Sequence, residues 1–463
     1  EPIQYNPNQH SLFLYPTTSN SPFDTTSFLQ HNLLSQDLAI QQLTTSLSFL
    51  TEKQNTGMIF TGFEGTGKYR MGRLITHLLL HNCNPEVVAT SYCDNVEDSC
   101  PVVAEEALVQ ENLEKEVLVV LDGNDYYYDE DEEGEDDKTT STYHDLKQDL
   151  VHYLLKRQQQ QQSNNIYGSV IILRHIEWMP PSIIAELVAA IYEDKELLYK
   201  TCPDDNVDNK DDETVDVACT AQKVTMENTI VIFTTQYGTK SLFEHLRRRT
   251  QENDNDDDDI DEMTKAMEQD IRNEIDLNFV KTGVQIGKLV DAIIPFQPLD
   301  PTSMKEILRH NVHRLSNQYS GKQWNYLLVS EAALDYLSGT NYVEYWTIRD
   351  PDSRDVVMTL SKHGAHDLAD DDNDDSSIDD DDHGVDADDN DDISGGLIMK
   401  ALKTKVMGGL RERPDRIALI DFSMEAGQFM IRWCKSNDDG KETSILDDQE
   451  RLCDDAYWFD FDV

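Results

Sequence analysis

The 463-residue chain predicts an α/β fold, a parallel sheet flanked by helices, followed by a smaller and mostly helical C-terminal domain. Three observations carry this. Apolar runs of strand length recur at Met58–Thr61, Val117–Asp122, Ser169–Leu173 and Thr229–Thr234. Helical periodicities separate them, the pattern of parallel strands joined by crossover helices and covered on both faces. The first strand also runs into a glycine-rich turn, Gly62, Phe63, Glu64, Gly65, Thr66, Gly67 and Lys68, and then into a helix from Tyr69 to Leu80.

That turn completes the pattern G-x-x-x-x-G-K in the strand-loop-helix setting the motif requires. Its glycines allow a tight loop whose backbone N–H groups face a phosphate, and Lys68 reaches the β- and γ-phosphates as a point charge. The next position ordinarily carries Ser or Thr, whose hydroxyl holds Mg²⁺; here it is Tyr69. Gly62–Tyr69 is the expected nucleotide-binding segment, with ATP as the expected ligand and magnesium left open.

The remaining elements follow in order. Residues 1–30 mix Pro, Asn, Ser and Thr and read as an extended arm. A helix begins at Ser35, its N-cap, with Leu38, Ala39, Leu43, Leu47 and Leu50 at helical spacing. Tyr143–Gln162 reads as a helix with Leu146, Leu150 and Leu154 on one face, and a further helix runs from Ser182 to about Tyr192. The strand within Leu289–Leu299 ends at a double-proline turn, after which Asp300 caps a helix with Pro301 at its first position. Ser330 caps the next, Met399–Leu410 forms a basic helix, and residues 417–434 form a β-hairpin with Gly427 in its turn. The expected domains are the arm, an α/β nucleotide-binding domain over 31–300, a helical domain over 301–435 and a tail over 436–463.

The net charge is −51, from 90 acidic and 39 basic residues, which argues against nucleic acid as a partner. The acid is concentrated in inserts at about 129–140, 202–219, 252–262 and 367–392, expected as solvated loops. No apolar run approaches the length of a membrane span. None of the seven cysteines forms a CxxC pair, so no metal site is expected. Cys93/Cys100 and Cys202/Cys219 each bracket an acidic stretch, and small disulfide loops and free thiols both stay open. The chain starts at Glu1, as a processed or a trimmed chain would.

The ordered set of pieces resembles the Clp-type AAA+ ATPases, and within them the torsin branch. The resemblance rests on Gly65-Thr-Gly-Lys68, on the segment from Ile176 to Pro180, on Thr229–Gly238 and on Val290–Leu299, and it covers roughly residues 30–435. It implies an AAA+ domain with a lid, ATP binding, protein partners or substrates, an AAA+ oligomer, and the endoplasmic reticulum lumen or nuclear envelope as location. Several carried-over positions depart from the pattern. The Asp-Glu pair that ends the family's Walker B strand falls on Arg174 and His175, neither able to act as a carboxylate. Arg174 then stands either as a cation near the phosphates or as a residue tolerated once catalysis has lapsed. Glu177, two residues beyond His175, is the nearest acid for a catalytic role. Asp122 is the alternative Walker B acid, on a strand that lacks an adjacent Glu. The sensor position falls on Gln236, the arginine-finger position on Leu289, and the small-domain Gly-Cys-Lys triplet on Gly396–Ile398, with Lys400 the nearest replacement. Together the departures imply hydrolysis that is weak or dependent on a partner that donates an arginine, or a non-hydrolysing scaffold or regulator of an active AAA+ subunit.

Overall fold

The computed structural model describes residues 25–50, 56–83, 117–126, 146–157, 169–179, 181–194, 196–201, 220–226, 229–252, 260–280, 285–349, 356–365, 397–409, 413–414, 416–435 and 453–459. By contacts the chain divides into two compact units. The first takes Glu1–Gly62, Lys68–Arg249 and Asn253–Phe296; the second takes Phe63–Gly67, Thr250–Glu252 and Gln297–Val463.

The first unit contains helices α1 (Thr25–Asn32), α2 (Asp37–Leu50), α3 (Lys68–Cys83), α4 (146–157), α5 (Pro181–Ala189), α6 (Thr239–Glu252), α7 (Ile260–Asn278) and the short α8 (Ile286–Leu289). Its strands are β1 (Thr56–Gly62), β2 (Leu118–Asp122), β3 (Ser169–Arg174), β4 (Glu196–Thr201), β5 (Thr220–Thr225), β6 (Thr229–Thr235) and β7 (Ala292–Phe296). Five of them form one sheet in the order β2-β3-β6-β1-β7, and every pair is parallel. This is the parallel, helix-flanked α/β architecture that the spacing of apolar runs predicts.

The unbroken apolar runs follow from burial on both faces. Met58, Phe60, Ile172, Ile232 and Phe296 join one core with Leu29, Leu43, Met71 and Ile75 of α1–α3. Ile59, Ile171, Leu173 and Phe233 join the other with Leu146, Leu150 and Leu154 of α4, Ile183 and Leu187 of α5, and Ile271 of α7. Period-two alternation assigns successive residues of each strand to opposite cores. β7 is an edge strand, which is where Pro295 is tolerated, since it has no N–H to give a second neighbour.

Two N-terminal expectations change. The arm ends in α1, whose Leu29 is fully buried. Ser35 is not an N-cap: it sits at φ 59, a left-handed turn joining α1 to α2, and α2 begins at Asp37. β4 and β5 pair with each other, antiparallel, and the acidic stretch 202–219 is the connection between them. That stretch, with 129–140, 253–259, 367–392, Cys93, Cys100, Cys202 and Cys219, lies outside the described residues.

The second unit holds α9 (Pro301–Gln318), α10 (Glu331–Leu337) and α11 (Leu397–Gly409). Both expected caps are present: the Asp300 carboxylate accepts from Ser303 N at 2.7 Å, and Ser330 Oγ from Ala333 N at 3.2 Å. To these helices the unit adds six strands: β8 (Tyr326–Val329), β9 (Tyr345–Arg349), β10 (Val356–Ser361), β11 (Arg416–Ser423), β12 (Gln428–Lys435) and β13 (Cys453–Phe459). They form a sheet ordered β13-β12-β11-β8 and a β9–β10 pair, so the unit carries substantial sheet beside the expected helices. The hairpin at 417–434 is β11–β12, with Gly427 at φ 66 in its turn. The core gathers Leu308, Val312, Leu334, Leu402 and Phe429 around a fully buried Trp324, whose Nε1 donates to Ser316 O at 3.0 Å.

The tail does not stand apart, because β13 pairs with β12 and Cys434 is disulfide-bonded to Cys453 across that pair. Neither cysteine belongs to the two pairs that the spacing singles out. Closing a 19-residue separation restricts the unfolded chain, so Cys453→Ser is expected to destabilise this unit by about 2–3 kcal/mol. Urea unfolding of the full chain, with and without reductant, checks it. Wild type should shift on reduction and the variant should not; identical wild-type curves would remove the bond from the account.

Candidate functional site

β1 delivers the glycine-rich turn at the carboxyl edge of the sheet, and α3 leaves from it. At its entry, a Cβ on Gly62 (φ 153) would lie 2.7 Å from the Phe296 carbonyl oxygen and 2.8 Å from its Cβ, so only glycine lets β1 pass the edge strand there. This brings the end of the Leu289–Leu299 segment against the start of the loop. Thr61 Oγ1 donates to Tyr237 O at 2.5 Å, tying the loop's entry to the end of β6. Lys68 Nζ donates to Gly62 O at 2.8 Å, and Thr66 Oγ1 to Phe63 O at 2.7 Å. The loop is thus braced through its carbonyl oxygens, while the phosphate reading uses the N–H side of the same peptides.

The five residues Phe63–Gly67 belong to the second unit by contact. Gly65, at φ 65, accepts from Ala365 N at 2.7 Å through its carbonyl, and a Cβ on it would overlap His363 O at 2.0 Å. Phe63 meets Trp346 edge-on at 5.5 Å. Glu64 is exposed, and Thr66 and Gly65 are buried.

The end of β3 is unlike a metal site. Arg174 Nε lies 3.4 Å from Asp122 Oδ2, with both side chains largely buried. The register of β2 and β3 puts Asp122 directly opposite Arg174. Asp122 Oδ1 meanwhile accepts from Asn124 N at 3.0 Å, so this carboxylate caps its own turn and faces a guanidinium. Arg174 also lies over the Tyr69 ring, 5.0 Å from guanidinium carbon to centroid. In the family pattern that hydroxyl and carboxylate hold Mg²⁺, which the sequence leaves open here, and these residues do not fit it: an aromatic ring stands where the hydroxyl should be and a guanidinium where the carboxylate should be. Among the described residues, no group of three or more His, Cys, Asp or Glu is arranged to hold a metal ion.

His175 is one of two described non-glycine residues at positive φ, with φ 51 and ψ 52. The left-handed turn ends β3 sharply and starts the single turn Ile176–Trp178, closed by Trp178 N donating to His175 O at 2.9 Å. Histidine is among the residues that tolerate this conformation. Its carbonyl is met by the chain at Gly123, where a Cβ would come within 2.2 Å.

Glu177 reaches across to β6. Its Oε1 accepts from Gln236 N at 3.4 Å and lies 3.9 Å from His175 Nδ1. Its Oε2 is buried with no hydrogen-bond partner among the described residues. The sequence-predicted acid and the sensor-position residue therefore meet, although through the Gln236 backbone, its residue being exposed. Tyr237 beside them has its hydroxyl pKa raised, first by burial and then by the Glu177 charge. Leu289 is 46% exposed at the end of α8. Ile398 is buried in the core of the second unit and Lys400 is exposed on α11; Gly396 lies outside the described residues.

In the sequence Tyr69 and Arg174 are two separate departures, and Asp122 is the alternative Walker B acid on another strand. The structure makes them one contact group. The available signal was that the two positions that hold the metal in the family's site are altered together, each to a residue that stacks well on the other.

No protein-family model matches this chain, and neither does any curated protein. Among solved structures it is similar to a closed-state reconstruction of Hsp104 with ATPγS and FITC-casein, at 10% identity and a TM-score of 0.42. It is also similar to the S. cerevisiae Hsp104–ADP complex, at 12% identity and a TM-score of 0.42. Each overlap takes 87% of this chain and 50% of the other, so the chain spans half the length of those it matches. Among the described residues, no helix is long and apolar enough to cross a membrane.

Proposed function

We propose that the chain is a nucleotide-binding protein that takes ATP at Gly62–Lys68. More particularly, it is a torsin-like member of the Clp-type AAA+ proteins that regulates or remodels protein partners with weak or partner-dependent hydrolysis. The single observation that carries nucleotide binding is the complete glycine-lysine turn between β1 and α3 at the carboxyl edge of a parallel sheet. The first two turns of α3 add Lys68, Arg70 and Arg73 with no acidic residue in the first turn, a local positive end in a chain of net charge −51.

A second reading, a pseudo-ATPase that pairs with an active subunit, is favoured by the Arg174–Asp122 contact. That contact engages the alternative Walker B acid and leaves Glu177 as the acid for activating water. Losing one electrostatic stabiliser of phosphoryl transfer commonly lowers rate by about 10²–10⁵, so several losses together favour binding over turnover. The exposed Leu289 is consistent with a partner that supplies the arginine of an AAA+ subunit boundary. The Cys434–Cys453 bond supports an oxidising compartment, in line with the endoplasmic reticulum lumen or nuclear envelope.

Calorimetric titration of ATP into the full chain tests the first reading. Lys68→Ala is expected to weaken binding by roughly a hundredfold, the loss of a charge-assisted phosphate contact. Equal affinity in both proteins would reject the site. Phosphate release that depends on both Lys68 and Glu177 would reject the pseudo-ATPase reading.

A further inference from the structure

The misfit between this site and magnesium has a positive counterpart. Arg174 occupies the place at the end of β3 where a carboxylate would face the metal, and it lies over the residue that follows Lys68. Its side chain is 14% exposed, so its charge is little screened by solvent. Asp122, 13% exposed, holds it from β2 through Nε, and the Tyr69 face holds it from α3. A guanidinium fixed by two neighbours is a preorganised cation, and its planar fork of N–H donors suits phosphate oxygens. A divalent ion brought to the same place would meet the guanidinium and one carboxylate, Asp122, which Arg174 Nε and Asn124 N already engage.

We infer that this site holds a nucleoside di- or triphosphate without a divalent cation, the neutralising charge coming from Arg174 and Lys68. The inference rests on the proposed nucleotide binding at Gly62–Lys68 and goes beyond it by naming the ionic form of the ligand, the metal-free polyphosphate. Tyr69 is then a positioning residue that holds the guanidinium at the start of α3. Asp122 is another, and neither touches the ligand in this account.

Titration of ATP and ADP into the full chain, once in Mg²⁺ and once in excess EDTA, tests it. The wild-type dissociation constants are expected to agree within about twofold between the two buffers, since no ligand group of the site is reserved for the metal. Arg174→Ala, checked for folding by circular dichroism, is expected to weaken binding in EDTA by roughly tenfold or more, the worth of one charged hydrogen-bonding partner. The paired variant Tyr69→Ser with Arg174→Asp, which restores a hydroxyl and a carboxylate, is expected to bind in Mg²⁺ and lose binding in EDTA. Lys68-dependent wild-type binding in Mg²⁺ that disappears in EDTA would overturn the inference and leave the nucleotide site standing. No wild-type binding in either buffer would overturn both. Unchanged binding by a folded Arg174→Ala protein would remove the guanidinium from the account. The wild-type comparison needs no variant to fold.

Discussion

Phe296→Ala is expected to lower the stability of the first unit by about 3–5 kcal/mol, the range for deleting a fully buried aromatic ring. Phe296 has no exposed surface and packs on Phe60 with ring centroids 5.4 Å apart. It ends β7, the strand at the sheet edge, which is paired only with β1 in that sheet and carries a proline that cannot donate. Its ring therefore packs this edge strand onto the core shared with β1. It also stands opposite Gly62 in the register of β1 and β7, so the cavity opens beneath the loop entry. ATP affinity is expected to fall with stability, because the loop's anchor moves as the core relaxes. Chemical denaturation of the full chain, followed by circular dichroism, reads the first effect and calorimetry the second. A loss below about 1 kcal/mol would mean that the core collapses around the missing ring and that β7 is held by other contacts.

The legible and the illegible parts of this molecule divide by range. The strand cores, the α4 face of Leu146, Leu150 and Leu154, the caps at Asp300 and Ser330, and the hairpin turn at Gly427 are each set by a few neighbouring residues. Local periodicity and capping chemistry report them directly. The order β2-β3-β6-β1-β7 is a statement about which distant runs pair, and no run carries its neighbour's name. β8 is four residues of apolar chain, too short for periodicity to separate strand from helix, so the strands that extend the expected hairpin into a sheet are not visible in the sequence. Ser35 looks like an N-cap because it is a serine before an apolar helix; that it turns left-handed depends on α1, hidden in a stretch read as an arm. At the site, the loop is legible because its backbone chemistry is written in consecutive residues. The Arg174–Tyr69–Asp122 group is not, because it joins three elements. The same holds for Glu177 against Gln236 N, where the contact is made by backbone that any residue type would offer.

At the amino ends of β3 and β6, Arg157→Ala is expected to cost about 3–5 kcal/mol while leaving ATP affinity unchanged. Arg157 is the last described residue of α4 and is only 3% exposed. Its Nη1 donates to Ser169 Oγ at 2.6 Å and to Thr229 Oγ1 at 2.8 Å, the first residues of β3 and β6, which are register partners. Burial pulls its pKa below the usual arginine value. Two opposing terms decide the outcome. Removing a buried cation relieves its desolvation, but alanine also deletes the stem and leaves two hydroxyls short of a partner. Ser169 Oγ and Thr229 Oγ1 already bond each other at 3.2 Å, which limits the second loss without replacing the charged contacts. The cavity term therefore dominates, and Arg157→Met, which keeps most of the stem, should recover about half of the lost stability. Thermal and urea unfolding of both variants separates the terms. Equal losses for alanine and methionine would place the cost in the guanidinium's hydrogen bonds rather than in packing. A change in ATP affinity would mean that the amino ends of β3 and β6 are coupled to the loop at their far ends.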